Sequence, residues 1–274
     1  MLNLNKVTLL CVETRFPKMG IQAIEHSTRK IKFAKNILIT NLEIQSDYSN
    51  KIEFVKAPII KNINDYSDYL LSDISNIIQG SHVLIVQWDG FVLNPCCWDP
   101  VFLEYDYIGA PWISRKSKVV GNGGFCLRSV KLIKALQNDD IIKGHPEDRY
   151  ICIVNKEILE KKYGIKFAPS VLAEKFSIER QSWSRSFGFH GFFNFANIFN
   201  DREMEKIINE IPQNYLGGRD TYDLINDLIH KKKIKNAQAL LDKSTPRTSR
   251  KGKLKRSHFK YWFILILLSI FSKK

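Results

Sequence analysis

The chain has 274 residues, 44% of them hydrophobic, which is long enough for one large domain with a full core plus appendages. Its five cysteines, Cys11, Cys96, Cys97, Cys126 and Cys152, are odd in number and lack a paired metal spacing, which argues against a zinc module and for free thiols in a reducing cytoplasm. The net charge of +14 is unevenly placed: Lys231–Lys274 holds fourteen Lys and Arg against one acid, so this tail carries +13 and the preceding 230 residues only +1.

Met1–Lys6 leads directly into the apolar run Val7–Val12, which is too short for a secretory signal and ends on Glu13 and Arg15. That run is predicted to be the first strand, with Glu13-Thr14-Arg15 at its mouth. Ile37–Thr40 and Ile52–Val55 read as two further strands. Asn64–Gln79 carries apolar residues at helical spacing from a plausible Asn cap. Val83–Val86 follows as a strand buried on both faces, and it stops abruptly on Gln87, Trp88 and Asp89. The alternation of strands and helices predicts an α/β fold with a mostly parallel, doubly wound sheet. Carboxylates at the C-terminal mouths of such strands lie where these sheets bind ligands.

Further along, Asp99–Tyr105 is expected as a short helix and Asp106–Pro111 as a strand entering a turn. Gly121–Gly124 precedes an apolar Phe125-Cys126-Leu127, and Val130–Leu136 reads as helical. Pro146–Tyr163 is expected as one helix, opening with Pro146 and the acids Glu147 and Asp148. Ile165–Ala168 is expected as a strand, and Phe187–Phe195 is an aromatic cluster around His190. Arg202–Ile211 and Thr221–Leu241 read as two helices. The expected organisation is a main domain over 1–200, a helical extension over 201–243, and a basic linker with a short apolar tail over 244–274.

The tail suggests its own partner. Phe263–Phe271 is apolar, is preceded by Tyr261 and Trp262, and has lysines on either side. About a dozen apolar residues are too few to span a bilayer, which needs roughly 20 in a helix, but enough to enter one interface. Peripheral attachment to an anionic membrane surface, on the inner face of the cytoplasmic membrane, is the expectation. Nucleic acid is disfavoured because the bases are not interleaved with aromatics.

Four clusters carry candidate chemistry: Gln87-Trp88-Asp89, Gly121–Phe125, Pro146–Arg149 and Phe187–His190. Each has an ordinary structural explanation, respectively a turn cap, a hairpin turn, helix-dipole acids and a buried histidine. Their order is more specific than any of them alone. The string VQWDGFVLNP, FLEYDYIGAPW, VGNGGFCLRS, HPEDRYIC, FAP, FS-x-E and FGFHGFFNF resembles an uncharacterised-domain family of bacterial polysaccharide gene clusters. That family is related to nucleotide-sugar glycosyltransferases of the GT-A fold, and the resemblance covers roughly residues 5–200.

The resemblance implies a GT-A-like, Rossmann-like α/β domain with a mixed, mostly parallel central sheet flanked by helices, which transfers a sugar from a nucleotide-sugar donor to a glycan or lipid-linked acceptor, as in capsule or lipopolysaccharide synthesis. It places Gln87, Trp88 and Asp89 where such enzymes carry an Asp-x-Asp that holds Mn²⁺ or Mg²⁺ against the donor diphosphate. Here Gln87 stands in place of the first Asp, leaving one carboxylate. His190 resembles the late histidine that completes such a metal site. Asn122, Gly123, Gly124 and Phe125 resemble the N-G-G-F segment of inverting galactosyltransferase-like enzymes, and Glu147-Asp148 resembles their Glu-Asp pair. By that resemblance Asp148 is the general base and Glu147 a sugar ligand. Glu13, Arg15 and Arg128 are further candidates for donor binding, the arginines as neutralisers of the leaving diphosphate. A non-catalytic saccharide-binding domain and a glycoside hydrolase are the alternatives. The hydrolase is disfavoured because adjacent Glu147 and Asp148 cannot easily flank one bond, although Asp89 with Asp148 could.

Overall fold

The computed structural model describes residues 1–41, 51–72, 74–113, 118–245 and 251–271. They divide into two compact units, Met1–His190 and Gly191–Lys274. The first is built on a six-stranded sheet of order β3-β2-β1-β4-β8-β5. Its strands are β1 (Leu2–Val12), β2 (Ile31–Thr40), β3 (Glu53–Lys56), β4 (His82–Val86), β5 (Tyr107–Gly109) and β8 (Cys126–Ser129). All neighbours are parallel except β8, which runs antiparallel to both β4 and β5. The expectation of a mixed, mostly parallel sheet flanked by helices therefore holds.

The sequence dictates the centre of this sheet. Val7–Val12 and His82–Val86 are continuously buried, as strands covered on both faces must be. Helix α1 (Pro17–Thr28) opens on a proline, connects β1 to β2, and buries Met19, Ile21, Ala23 and Ile24. Helix α2 (Ile63–Leu70) lies in the connection from β3 to β4. The chain thus leaves β1 towards β2 and β3, then returns to place β4 on the other side of β1. The gap between the C-terminal ends of β1 and β4 is the switch point of the sheet, where open α/β sheets leave a crevice.

Several predicted elements are shorter than their apolar spacing suggested, each for a local polar reason. Helix α2 starts at a capping box made by Asn62 and Asp65, two residues before the expected cap. It ends at Leu70, where Ser72 Oγ donates to the Tyr69 carbonyl at 2.6 Å and Gln137 Nε2 donates to that of Leu71 at 3.1 Å. A separate 3₁₀ turn covers Ser75–Ile77. The stretch expected as one helix over Pro146–Tyr163 is three pieces: α4 (Glu147–Arg149), a π-turn over Tyr150–Val154, and α5 (Lys156–Lys161). Buried Asn155 causes the break, its Nδ2 donating to the carbonyls of Tyr150 (3.0 Å) and Ile142 (2.7 Å). Ile165–Ala168 is not a strand; Phe167 alone bridges to Tyr107. Asp99–Tyr105 is a 3₁₀ helix over Pro100–Glu104. Helix α3 (Val130–Ala135) follows β8 as expected. Two short pairs complete this unit, β6 (Pro111–Ile113) with β7 (Lys118–Val120), and β9 (Ser177–Ile178) with β10 (Gly188–Phe189). Helix α6 (Ser170–Phe176) leads into β9.

The second unit is helical: a 3₁₀ segment over Phe192–Asn197, then α7 (Asp201–Glu210), α8 (Arg219–His230), α9 (Ile234–Lys243) and α10 (Lys251–Phe271). The expected single helix Thr221–Leu241 breaks into α8 and α9 at Lys231-Lys232-Lys233. Lys232 takes a left-handed φ of 60°, and Lys233 Nζ donates to the carbonyl of Phe199 at 2.5 Å. The region expected to be a basic linker and short apolar tail holds α10, a helix of 21 residues. Residues 246–250 and 272–274 of that region lie outside the described ones.

Candidate functional site

A cleft of about 190 Å³ opens at the switch point. It is lined by Val12–Arg15 at the end of β1, by Ile60–Ile63 and Tyr66 around the start of α2, and by Gln87 and Trp88 at the end of β4. Glu13 is buried here and shapes the turn after β1, its Oε1 accepting from the backbone N–H of Arg15 (2.8 Å) and Phe16 (3.1 Å). The Arg15 side chain is exposed, with its Nε 3.9 Å from Glu13. Glu13, Arg15, Gln87 and Trp88 are therefore brought together as the sequence suggests, with Glu13 in a supporting place.

Gln87 links this cleft to a polar cluster. Its Nε2 donates to Tyr66 Oη at 2.7 Å, and its Oε1 lies 3.2 Å from His190 Nε2. His190 in turn sits between two carboxylates: Asp89 Oδ1 is 3.7 Å from Nε2, and Glu179 Oε1 is 3.4 Å from Nδ1. Burial disfavours a charged imidazole, but Asp89 and Glu179 outweigh it and push the His190 pKa up to about 9. Burial likewise works against the Glu179 carboxylate, and its hydrogen bond and charge pairing with His190 hold it below the usual range. The His190 cation and these two anions thus stabilise one another.

The third part is the loop Gly121–Phe125. Asn122 has a left-handed φ of 66°, and its Oδ1 accepts from the N–H of Gly124 (3.0 Å) and Phe125 (3.4 Å), closing a tight turn. Its Nδ2 lies 3.1 Å from His190 Nδ1. Two glycines in this loop are required by close approach. A Cβ on Gly124 would lie 2.1 Å from His190 Nε2, and one on Gly123 would lie 2.0 Å from Glu147 Oε1. Gly123 N–H donates to Asp148 Oδ2 at 2.9 Å, and Arg149 N–H donates to Asp148 Oδ1 at 2.8 Å. Burial and the neighbouring Glu147 raise the Asp148 pKa above the ordinary aspartate value, more than those two hydrogen bonds lower it.

Glu147 and Arg128 have a different place from the one the sequence suggested. Both are buried, Arg128 at 1% exposure and Glu147 at 6%, and Arg128 Nη2 lies 3.2 Å from Glu147 Oε1. Arg128 also donates to the carbonyl of Leu70 (3.3 Å), and Ser67 Oγ donates to Glu147 Oε2 (3.4 Å). Neither is presented to a ligand; the pair ties β8, α2 and α4 together beneath the glycine loop. Phe125 is also fully buried, packed on Phe176 and Phe187. The sequence reading missed Glu179 and Tyr66. Glu179 closes the FS-x-E segment but has no neighbour in sequence to mark it. Tyr66 sits on an apolar helical stripe and is indistinguishable there from a core residue.

Among the described residues, no group of three His, Cys, Asp or Glu side chains is assembled to hold a metal ion. Asp89 Oδ1 (3.7 Å) and Gln87 Oε1 (3.2 Å) both face His190 Nε2, giving one anion and one neutral oxygen around an imidazole that would have to give up its proton to act as a third donor. Mg²⁺ is usually held by one or two carboxylates while substrate phosphates supply further oxygens, and Asp89 is the carboxylate at this place.

The family model described as protein of unknown function (DUF5672) matches residues 49–190, more than half of the chain, and the chain belongs to that family. The matched segment includes Tyr66, Gln87, Asp89, the glycine loop, Asp148, Glu179 and His190. No curated protein matches the chain. Among solved structures it is similar to the apo-form glycosyltransferase GlyE of Streptococcus pneumoniae TIGR4, with a TM-score of 0.40 and 14% identity over 68% of this chain. The similarity spans about half of that protein, 54% of its chain.

Proposed function

We propose that the protein is a glycosyltransferase that moves a sugar from a nucleotide-sugar donor to a hydroxyl of a cell-surface glycan or lipid-linked acceptor. One observation carries this reading: the switch-point cleft continues through an unbroken chain of contacts, Gln87 to His190 to Asn122 and Gly123 to Asp148. A nucleotide in the cleft would have the Trp88 and Tyr66 rings and the charges of Arg15 and Lys61 around it. Its diphosphate would fall near Asp89 and His190, and its sugar against the glycine loop, where backbone approaches without a Cβ in the way.

Asp148 acts as the base. It takes the proton of the acceptor hydroxyl as that oxygen attacks the anomeric carbon. The bond from that carbon to the diphosphate oxygen breaks as the new glycosidic bond forms, and the configuration inverts. Two backbone N–H groups fix the direction of the carboxylate, and its raised pKa makes it more basic than an ordinary aspartate. Asp89 and Gln87, with His190 once it has given up its proton, are the residues that would hold Mn²⁺ or Mg²⁺. Such a cation would supply neutralisation of charge on the leaving diphosphate. The burial of Glu147 against Arg128 removes Glu147 from any hydrolase pair and leaves Asp89 with Asp148 as the pair such a reading would need.

The test is a panel of nucleotide sugars, with and without Mn²⁺, read by thermal stability and then by product formation on lipid-linked acceptors. A donor at one hundred times its Kd should add roughly 2.7 kcal/mol of stability. A panel in which no nucleotide sugar stabilises the protein would reject the reading. Stabilisation without any turnover would favour a non-catalytic binding domain.

A further inference from the structure

Helix α10 changes character along its length. Its first ten residues, Lys251–Lys260, contain five bases and no acid, and the next eleven, Tyr261–Phe271, contain no charge. One side of the helix is packed within the helical unit. Leu265 is buried, Tyr261 stacks on Tyr222 of α8 with ring centroids 6.2 Å apart, and Tyr261 Oη donates to Asn226 Oδ1 at 3.3 Å. The other side exposes Phe259 (66%), Trp262 (45%), Phe263 (53%) and Leu267 (38%). Helical spacing puts 259, 263 and 267 on one stripe with Arg256 and Lys260 beside them, and Trp262 stacks on Phe259 at 5.8 Å.

Single exposed apolar residues need no explanation, but a contiguous stripe of three aromatics and a leucine does. Eleven uncharged residues cover about 16 Å as a helix, roughly half of a bilayer's hydrocarbon thickness. No helix among the described residues is long and apolar enough to cross a membrane. The dimensions suit burial in one interface, with aromatic rings at headgroup depth and bases against phosphates. A second copy of this chain is a poor match, since Arg256 and Lys260 beside the stripe would meet their own copies across the contact. Nucleic acid is also a poor match, because the bases and most of the aromatics occupy different halves of the helix.

We propose that α10 docks the protein on an anionic lipid surface, its Phe259, Trp262, Phe263 and Leu267 stripe entering the interface while Arg256 and Lys260 meet the headgroup phosphates. The inference stands apart from the transfer reaction and is tested without it. The full chain is sedimented with vesicles of phosphatidylcholine alone and of phosphatidylcholine mixed with phosphatidylglycerol. Binding to the mixed vesicles should exceed binding to the neutral ones and fall as salt is raised. Each neutralised base should weaken partition about fivefold, so Arg256→Gln with Lys260→Gln should lose roughly twenty-fivefold. Trp262→Ser with Phe263→Ser should abolish binding while the thermal melt stays in place, because both side chains face outward. Equal binding to neutral and anionic vesicles would overturn the proposal. So would a failure to bind either kind, including the case where ultracentrifugation shows a dimer that Trp262→Ser with Phe263→Ser dissolves.

Discussion

Two polar assemblies lie back to back around the glycine loop, and they use the same kinds of residue for opposite ends. Beneath the loop, Arg128 and Glu147 are sealed from water and saturate one another. At the loop's other side, Gln87, Asp89, Glu179, His190 and Asp148 are all partly exposed. The neighbours Glu147 and Asp148 make the contrast within a single turn of chain. A buried pair holds geometry at a desolvation cost, whereas a half-open cluster keeps charges available to a ligand. Residue type alone therefore does not mark function; the exposed share of each carboxylate does.

The largest effect should come from breaking the buried pair. Glu147→Leu would leave the Arg128 guanidinium uncompensated and should cost about 3–5 kcal/mol of unfolding free energy in a denaturant titration. Adding Arg128→Met should restore most of it. If the single substitution is mild, Arg128 has a solvent route and the pair is not the sealed support described here.

A smaller loss, about 1–3 kcal/mol, is expected from Gly124→Ala, whose methyl would collide with the His190 ring and Gln87 Oε1. The same substitution should weaken binding of any nucleotide sugar that stabilises the parent chain. A variant with unchanged stability and binding would separate the loop from the cluster.

The pH dependence of stability sharpens the comparison further. The His190 pKa is raised on folding to about 9, so its stabilisation is fully present below about pH 6.5 and is lost as pH rises through 9. His190→Gln should flatten that alkaline loss, by an amount on the order of 2 kcal/mol, in unfolding curves taken at pH 6.5 and 9.5. Parallel curves for the two chains would mean that His190 is neutral between its carboxylates.

Much of the fold was legible because its central strands obey one rule. Val7–Val12 and Val83–Val86 are apolar without interruption, and both lie at the middle of the sheet, covered on two faces. Elements ended early where a side chain took over a backbone partner, as Ser72 does for α2 and Asn155 does within Pro146–Tyr163; apolar periodicity carries no record of such bonds. Of the candidate site, Glu13, Arg15, Gln87 and Trp88 share the cleft. Asp89, Asn122, Gly123, Asp148 and His190 join it through contacts more than twenty residues apart in sequence. Glu147, which the resemblance sets against a sugar, and Arg128, expected near the diphosphate, instead pair with one another out of reach of solvent, and neither motif nor spacing carries a sign of that long-range pairing. Glu179 went unassigned because its meaning depends on His190, eleven positions away.

The most direct test of the central claim separates chemistry from binding at one atom pair. Asp148→Asn keeps the side chain's size and an oxygen for the Gly123 N–H, and it removes the base. Once a donor and acceptor are found, transfer by this variant should fall by about 10²–10⁴-fold. The donor's thermal stabilisation should remain, and the parent's rate should rise with pH through a midpoint above the ordinary aspartate value. Unchanged transfer by Asp148→Asn would contradict the account.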